Sequence, residues 1–255
     1  MDGLPDEDLR QTMSNELFRA TDIDGDHRYV DGWVYGLADV WPTQIEGQLR
    51  TANPGCLPAA TLNALASLLV AKRIEPANIV IDAKTGISDA GRGGAESTFD
   101  YAETNENLVP YGLLKHVHMP DIGKTIDRLS GGSASGLVFT PHLVPMTRGV
   151  LVTVYRRGRA STEQCFDAAR RFYAGRAFVR VTDKSPQTKW ATGSSFAFVS
   201  YGGDAIELRF SHAASNADVG IVTEFRDDRS RNWLDQMPRH ALSKWGIRSR
   251  ANRAR

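Results

Sequence analysis

The stretch of sequence that decides the fold is Asn53-Pro54-Gly55-Cys56-Leu57-Pro58, which runs directly into the alanine- and leucine-rich segment 58–73. Apolar residues recur in that segment every three or four positions, which predicts a helix with one buried face. Pro58 suits an early helical position. Cys56 therefore stands where a Pro-Gly turn meets a helix, and there N–H groups and the helix dipole stabilise a thiolate. The stretch predicts a nucleophilic cysteine.

The rest of the chain alternates between short apolar runs and amphipathic segments. Strands are predicted at 79–81, 137–140, 149–155, 178–181, 196–200 and 205–210, and further helices at 120–130 and 161–174. Ser161 and Gln164 form a capping box that opens the last helix. Segment 82–94 is predicted to leave the first strand as a glycine-rich polar loop. This order favours an α+β fold, a mostly antiparallel or mixed sheet with helices on one face.

Composition excludes several classes of protein. With 255 residues, 41% of them apolar, the chain can build one large domain or two small ones. A net charge of +1 gives no reason to expect nucleic acid or a membrane surface as a partner, and no apolar run reaches the ~18 residues that span a bilayer. Segment 1–10 is acidic and unlike a signal peptide, and two cysteines fit a reducing compartment. We expect a soluble, cytoplasmic protein.

A nucleotide-binding fingerprint is missing from the sequence. No Gly-x-Gly-x-x-Gly follows a predicted strand. The glycines of segment 86–94 have the wrong spacing, and no acidic residue is placed to bind a ribose. The residues by themselves therefore do not predict a dinucleotide site.

A nucleophilic thiol needs a proton acceptor, and the densest group of histidines is His116-Val117-His118. In an extended segment both imidazoles lie on one side of the chain, and Asp121 follows where it can orient an imidazole. The alternative is that the pair is only a polar surface feature. A metal site would need further ligands from Cys56 or His142, and no ligand spacing supports one. No metal is expected.

Two arginines stand in predicted loops between strands. Arg148 closes the proline-containing stretch 140–148 and can hold a phosphate or carboxylate through a forked pair of hydrogen bonds. Arg92, in the glycine-rich loop, has the same possible use. Each can equally be a solvated arginine in a turn. Cys165 lies inside a predicted helix and is expected to be a packed residue without chemistry.

Several short motifs, taken together, point to one family. They are Val34–Leu37, Asn53–Cys56, Ile81–Ser88, Ala90–Arg92, Asn105–Asn107, Pro110-Tyr111, His116–His118 and Phe139–Gly149. In order and spacing they closely resemble the N-acetyl-gamma-glutamyl-phosphate reductases, with the aminoadipyl-phosphate reductases next nearest. The resemblance covers roughly residues 30–200.

The resemblance implies a reaction. The family reduces an acyl phosphate to an aldehyde with NADPH, in arginine biosynthesis. Carried onto this chain, Cys56 attacks the acyl phosphate and forms a thioester as phosphate leaves, and hydride from NADPH then gives the semialdehyde. His118 is the acid/base partner, and the oxyanion lies near the backbone N–H of Cys56. Asp121 stands where the family usually has Glu.

The resemblance also implies binding residues and partners. The substrate-binding positions are Lys84, Ser88, Arg92, Asp121 and Arg148, and the positions for the cofactor NADP(H) are Gly86, Ser88 and Gly91. The implied partners are a small-molecule acyl phosphate and further copies of the chain, in a homo-oligomer that is a tetramer by family precedent.

Because the fingerprint is missing, the resemblance predicts an unusual domain organisation. Residues 1–52 are a remnant of a Rossmann nucleotide-binding domain, 53–210 form a catalytic and oligomerisation domain similar to the C-terminal domain of glyceraldehyde-3-phosphate dehydrogenase, and 211–255 form a divergent basic tail. Three hypotheses stay open. They are an NADPH-dependent reductase of the glutamyl or aminoadipyl phosphate, an inactive folded remnant that does not bind NADPH, and a thiol hydrolase in which water replaces hydride.

Overall fold

The fold is described from a computed structural model, which covers residues 33–48, 50–90, 101–156, 158, 160–202, 209–215 and 223–224. The strands are β1 (Val34–Tyr35), β2 (Arg50–Ala52), β3 (Val80–Thr85), β4 (Val109–Pro110), β5 (Val138–Leu143), β6 (Val150–Arg156), β7 (Val179–Val181), β8 (Ala197–Gly202), β9 (Arg209–Ser215) and β10 (Thr223–Glu224). The helices are α1 (Pro42–Ile45), α2 (Cys56–Val70), α3 (Tyr101–Thr104), α4 (Met119–Ser130), α5 (Thr162–Phe172) and α6 (Thr188–Ala191), with a 3-10 turn at Ile87–Ala90.

The described residues fall into two compact units. The first contains 33–48, 50–53 and 223–224. Its sheet has the order β1-β2-β10, with β1 parallel and β10 antiparallel to β2. Residues 223–224, inside the segment predicted as a basic tail, therefore form a strand of this sheet. The nucleotide-binding remnant and the domain limits stay predictions.

The second unit is built on a seven-stranded sheet of order β4-β5-β3-β6-β9-β8-β7. The pairs β5–β3 and β7–β8 are parallel, and the four other pairs are antiparallel. The sheet is therefore mixed and mainly antiparallel, which confirms the predicted α+β class.

The long helices cover one side of this sheet. Ile81 of β3 and Val152 of β6 are fully buried on that side. Ser67 of α2 shares a hydrogen bond with the Tyr201 hydroxyl of β8, with 3.0 Å between the oxygens. The ring of Phe166, from α5, lies edge-on to the same tyrosine at 5.7 Å. Since Tyr201 points to the buried side, α2 and α5 share that side, and α4 packs on α2. The predicted one-sided arrangement is confirmed for the long helices.

The opposite side of the sheet stays partly open. Val80, Val138 and Tyr155 occupy paired positions on β3, β5 and β6 and are each about two-fifths exposed. The short helix α6 is an exception to the one-sided arrangement. Its Trp190 contacts Phe198 at 5.7 Å between ring centres, and Phe198 alternates with the buried side chains of β8.

Helix α2 is buried all round, not on one face as predicted. Twelve of its 15 residues are buried, including Thr61, Asn63 and Ser67 among the apolar ones. A helix apolar on all sides belongs inside a domain, and α2 packs against the sheet and against both other long helices. It runs from Cys56 to Val70, so it starts and ends earlier than segment 58–73.

Burial also raises the pKa of Tyr201 on β8, so the hydroxyl that shares a hydrogen bond with Ser67 stays neutral.

The prediction of a loop starting at Asp82 was wrong. Residues up to Thr85 belong to β3, which is paired on both sides. Ala83 and Thr85 are buried, whereas Asp82 and Lys84 alternate with them on the open side. Asp and Lys have low strand propensity, but the two neighbouring strands fix the backbone of this segment. The glycine-rich part at 91–94 lies outside the described residues.

The remaining elements differ from prediction mainly at their ends. The capping box of Ser161 and Gln164 is present in both directions. Helix α4 ends, as predicted, at Gly131, which adopts φ 66°. The strand predicted at 205–210 is described only from Arg209 and continues to Ser215, while 203–208 lie outside the described residues.

One buried arginine ties the segment after α2 to the sheet. The guanidinium of Arg156, at the end of β6, is 5% exposed and donates from Nε to the backbone carbonyl of Glu75 at 2.8 Å. It also donates from Nη2 to the Glu75 carboxylate at 2.8 Å. Because that carboxylate is 84% exposed, the backbone acceptor is the part of the pair that satisfies the buried charge.

We predict that Arg156→Ala lowers the free energy of unfolding by about 2–4 kcal/mol, because it removes two charge-assisted hydrogen bonds and a buried side chain. Chemical denaturation followed by circular dichroism measures this. Glu75→Gln is the matched control. It keeps the backbone acceptor, so it should cost less than about 1 kcal/mol. Equal losses in the two variants would contradict the assignment.

Candidate active site

Cys56 is the first residue of the buried helix α2 and is itself partly exposed. Gly55, the N-cap, has an extended backbone and brings the chain into the helix from the Pro-Gly turn. The first N–H groups of a helix have no acceptor within it, and the first turn of α2 contains no acidic residue. The thiol therefore lies at the positive end of a helix that stays rigid because it is buried.

The imidazole of His118 packs directly against Gly55. A Cβ atom built on Gly55 would lie 2.9 Å from Cε1 and 3.0 Å from Cδ2 of His118, and closer still to Nε2. The φ of Gly55 is −63°, so its backbone suits any residue. Glycine is needed at position 55 because the His118 ring occupies the space that a side chain of residue 55 would fill. His118 is thus brought next to the residue that precedes Cys56, and its acid/base role stays a prediction.

His118 reaches this position from a turn, so the prediction of an extended segment was wrong. His118 is the N-cap of α4, with φ −82° and ψ −11°. Its backbone N–H donates to Nδ1 of His116 at 3.2 Å, and the two ring centres are 4.8 Å apart. The imidazoles are therefore close because the chain folds back on itself, not because alternate residues share a side.

Asp121 lies in the first turn of α4 and is fully buried. Thr125 donates a hydrogen bond to its backbone carbonyl at 2.8 Å. A carboxylate in the first turn interacts favourably with the helix dipole. This interaction offsets part of the cost of burying an acid one turn after His118. Its substrate-binding role stays a prediction.

Two loops that are distant in sequence, at 86–88 and 146–149, are joined by backbone hydrogen bonds. The backbone N–H groups of Gly86, Ile87 and Ser88 donate to the carbonyls of Gly149, Met146 and Thr147, at 3.0, 2.9 and 3.1 Å. A Cβ on Gly86 would lie 2.8 Å from the Met146 carbonyl oxygen and 2.9 Å from the Arg148 nitrogen. Gly86 is therefore needed for packing between the loops.

These loops bring together three of the predicted binding residues, namely Gly86, Ser88 and Arg148. The side chain of Arg148 is exposed, as an anion-binding arginine requires. The binding roles of all three stay predictions. Arg92 and Gly91 lie outside the described residues.

Lys84, another predicted binding residue, belongs to a strand and not to these two loops. It is on β3, on the side of the sheet opposite α2, where Nζ forms an ion pair with Asp82. Asp82 is also 3.3 Å from Nδ1 of His142, which pairs with Lys84 on β5. The structure therefore groups Lys84 with Asp82 and His142 on the open side of the sheet. Substrate binding by Lys84 stays a prediction.

Sequence reasoning missed the two residues on which the geometry of the site depends most. Gly55 was treated as part of a turn, although it directly precedes the thiol. The sequence assigns a role to His118 and none to His116, whose ring lies behind His118 against Phe139, at 5.1 Å. A signal for Gly55 was available, since a glycine beside a nucleophile often allows close approach of another group.

The described residues do not complete a dinucleotide site. Three of their helices have eight or more residues, and pyrophosphates bind at such helix N-termini. The first N-terminus presents Cys56, the second His118, and the third is closed by the capping box at Ser161. The pyrophosphate of NADP(H) therefore finds no fitting helix end in this part of the chain.

Two other kinds of site were searched for in the same residues. No cluster of three or more metal-ligating side chains occurs in the described ranges. Nor does any helix within them combine the length and apolar character needed to cross a membrane.

Comparisons with known proteins agree with this region of the fold. The family described as "Semialdehyde dehydrogenase, dimerisation domain" matches residues 56–214. Proteins named N-acetyl-gamma-glutamyl-phosphate reductase match at 79% identity in Methylobacterium sp. (strain 4-46) and 73% in Bradyrhizobium sp. (strain ORS 278). The first alignment covers 74% of this chain and 58% of the relative, and the second 73% and 57%. The chain thus spans just over half the length of these curated relatives, and the predicted resemblance is confirmed.

The solved structures support the fold alone. The crystal structure of aspartate semialdehyde dehydrogenase II from Vibrio cholerae superposes with a TM-score of 0.58 at 18% sequence identity. The superposition covers 75% of this chain and 65% of that chain. The α+β architecture of the second unit is therefore a known one.

We predict that Gly55→Ala displaces the His118 ring, lowers the free energy of unfolding by about 1–3 kcal/mol through overpacking, and slows alkylation of Cys56. Denaturation and mass-spectrometric alkylation with iodoacetamide measure the two effects.

Gly123→Ala, on the same helix as His118, is the matched control. A Cβ there meets nothing within 4 Å, and alanine should stabilise α4 by up to about 1 kcal/mol. An unchanged alkylation rate in Gly55→Ala would contradict the inferred contact.

Proposed function

Because the chain belongs to the semialdehyde dehydrogenase dimerisation-domain family, we propose that it carries the acyl-transfer site of an N-acetyl-gamma-glutamyl-phosphate reductase. One observation carries the proposal. The His118 imidazole packs on Gly55, immediately before Cys56 at the start of a buried helix. A thiol, a ring nitrogen beside it and a helix N-terminus are the parts that acyl transfer to sulfur needs.

In the first step His118 accepts the Cys56 proton, and the resulting thiolate attacks the acyl carbon of the acyl phosphate. A carbon–sulfur bond forms, the carbon–oxygen bond to phosphate breaks, and phosphate leaves with the electron pair. The N-terminus of α2 stabilises the negative charge that develops on the carbonyl oxygen. The product is a thioester on Cys56 and free phosphate.

The loops at 86–88 and 146–149 supply the phosphate-binding part of the proposal. Arg148 is exposed and its backbone is held against Gly86, so a guanidinium on a fixed loop can bind the leaving phosphate through two hydrogen bonds. Ser88 adds a hydroxyl from the facing loop. Asp121 would act indirectly, through its place in the first turn of the helix that begins after His118.

NADPH, the reductant that the family resemblance implies, would supply a hydride that converts the thioester to the aldehyde. The described residues do not fit its pyrophosphate, so the chemistry assigned to them ends at the thioester. The same thiol and imidazole also support one second candidate, a thiol hydrolase in which water attacks the thioester and releases the acid.

We predict that the chain, mixed with N-acetyl-gamma-glutamyl phosphate, gains the mass of the acyl group on Cys56 and releases phosphate. Cys56→Ser should lower phosphate release by about 100-fold or more, since the hydroxyl is a far weaker nucleophile. Cys165→Ser is the control, because that thiol is buried and belongs to a different helix, α5. Phosphate release unchanged in Cys56→Ser would refute the acyl-transfer site.

Adding NADPH separates the candidates. Oxidation of NADPH in proportion to phosphate release supports the reductase, whereas continuous phosphate release without NADPH supports the hydrolase. A single turnover that stops at the thioester, with or without NADPH, supports an inactive remnant that keeps only the acyl-transfer half. The aminoadipyl phosphate, tested in parallel, identifies the preferred substrate.

We also propose that the chain forms a homo-oligomer through the open side of the seven-stranded sheet. Val80, Val138 and Tyr155 form a cross-strand apolar row there, and exposed apolar rows on a sheet mark contact surfaces. The family description, a dimerisation domain, makes a second copy of the chain the expected occupant.

We predict that Val138→Lys lowers the oligomeric state measured by light scattering after size exclusion, because it places a charge in the apolar row. Val70→Lys is the matched control, since Val70 is exposed at the end of α2, away from the row. Wild-type mass in Val138→Lys would argue against this surface.

A further inference from the structure

His116 lies in a ring of aromatic contacts behind His118. Its ring centre is 5.4 Å from Tyr111, 5.1 Å from Phe139 and 4.8 Å from His118. The planes of the first two rings are steeply tilted to it, by 62° and 73°, which is the edge-to-face geometry that aromatic pairs prefer. The ring is partly buried and its orientation is fixed by these neighbours.

The turn before His116 is also shaped around its ring. Gly112 has φ 58°, and a Cβ there would lie 2.8 Å from Cδ2 of His116. Gly55 has the same relation to the ring of His118. Two successive imidazoles are therefore each seated against a glycine, one behind the other.

The hydrogen bond with the backbone of His118 determines the tautomer of the His116 imidazole. Nδ1 accepts the backbone N–H of His118 at 3.2 Å, so Nδ1 is unprotonated and the proton of the neutral ring is on Nε2. His118 is the N-cap of α4 and its own side chain makes no capping bond. The ring of His116 therefore holds the backbone from which the imidazole of His118 projects.

We propose that His116 is a positioning residue, whose Nδ1 acceptor and packed ring hold His118 against Gly55 and beside Cys56. His116 contacts the neighbouring histidine through a hydrogen bond and through its ring, so we assign it a role that acts through His118. This rests on the proposed function in one respect, that His118 acts on the Cys56 thiol.

The test compares variants that differ in the acceptor alone. His116→Asn places an oxygen about where Nδ1 lies, and His116→Leu has nearly the same size without an acceptor. Alkylation of Cys56 by iodoacetamide at neutral pH, read by mass spectrometry on the full chain, reports the thiolate fraction. The buried Cys165 serves as the internal reference.

We expect His116→Leu to slow Cys56 alkylation about tenfold, because a smaller fraction of the thiol is then present as the reactive thiolate. His118→Ala should slow it to a similar degree, and His116→Asn should stay close to wild type. If His116→Leu does not fold, His116→Phe keeps an aromatic ring without the acceptor and is expected to give the same slow rate.

The outcomes separate this proposal from the one on which it rests. If the acceptor-free variants react like wild type while His118→Ala is slow, the positioning role is overturned and the Cys56–His118 pair stands. If His116→Asn is as slow as His116→Leu, an acceptor at this position does not restore the reaction rate. The hydrogen-bond role of His116 is then overturned. If His118→Ala itself reacts like wild type, the pairing in the proposed function fails.

Discussion

The close approach of the His118 imidazole to Gly55 is the contact on which the candidate site depends. It joins the N-termini of two helices, α2 with its thiol and α4 with its imidazole, and these helices pack together in the core. A methyl group at residue 55 would occupy the space of the ring, so the choice of glycine and the position of the histidine are one constraint. Because α2 is buried all round, the thiol has little freedom to move away from this contact.

The two sides of the seven-stranded sheet differ in burial, because the long helices cover only one of them. The buried side supports α2 through small and β-branched side chains and through the Ser67–Tyr201 hydrogen bond. That side therefore determines where the thiol stands. The open side carries an apolar row and the ion pair of Lys84 with Asp82, and it is the side that we propose as the contact surface of an oligomer. In this proposal the candidate site and the contact surface depend on opposite sides of one sheet.

The order of strands also explains how distant loops meet. Strand β3 lies between β5 and β6, parallel to the first and antiparallel to the second. The chain leaving β3 at Gly86 therefore reaches the same edge as the segment that connects β5 to β6, and the two loops exchange three backbone hydrogen bonds. Binding residues on surface loops are positioned by such a scaffold. The sheet, more than either loop, brings Ser88 near Arg148.

The sequence by itself determined the class of fold, the helix behind Cys56, the capping box at Ser161 and the family. These depend on local periodicity, on cap chemistry and on short motifs, all of which act within a few residues. Only the tertiary structure decided that Asp82–Thr85 is a strand, that Ser211–Ser215 continues one, and that His118 projects from a helix cap. In the first two cases, neighbouring strands supply hydrogen bonds that override weak strand propensity. In the third, the position of the ring follows from the packing of α4 on α2, residues more than fifty positions apart, and no local pattern encodes that distance.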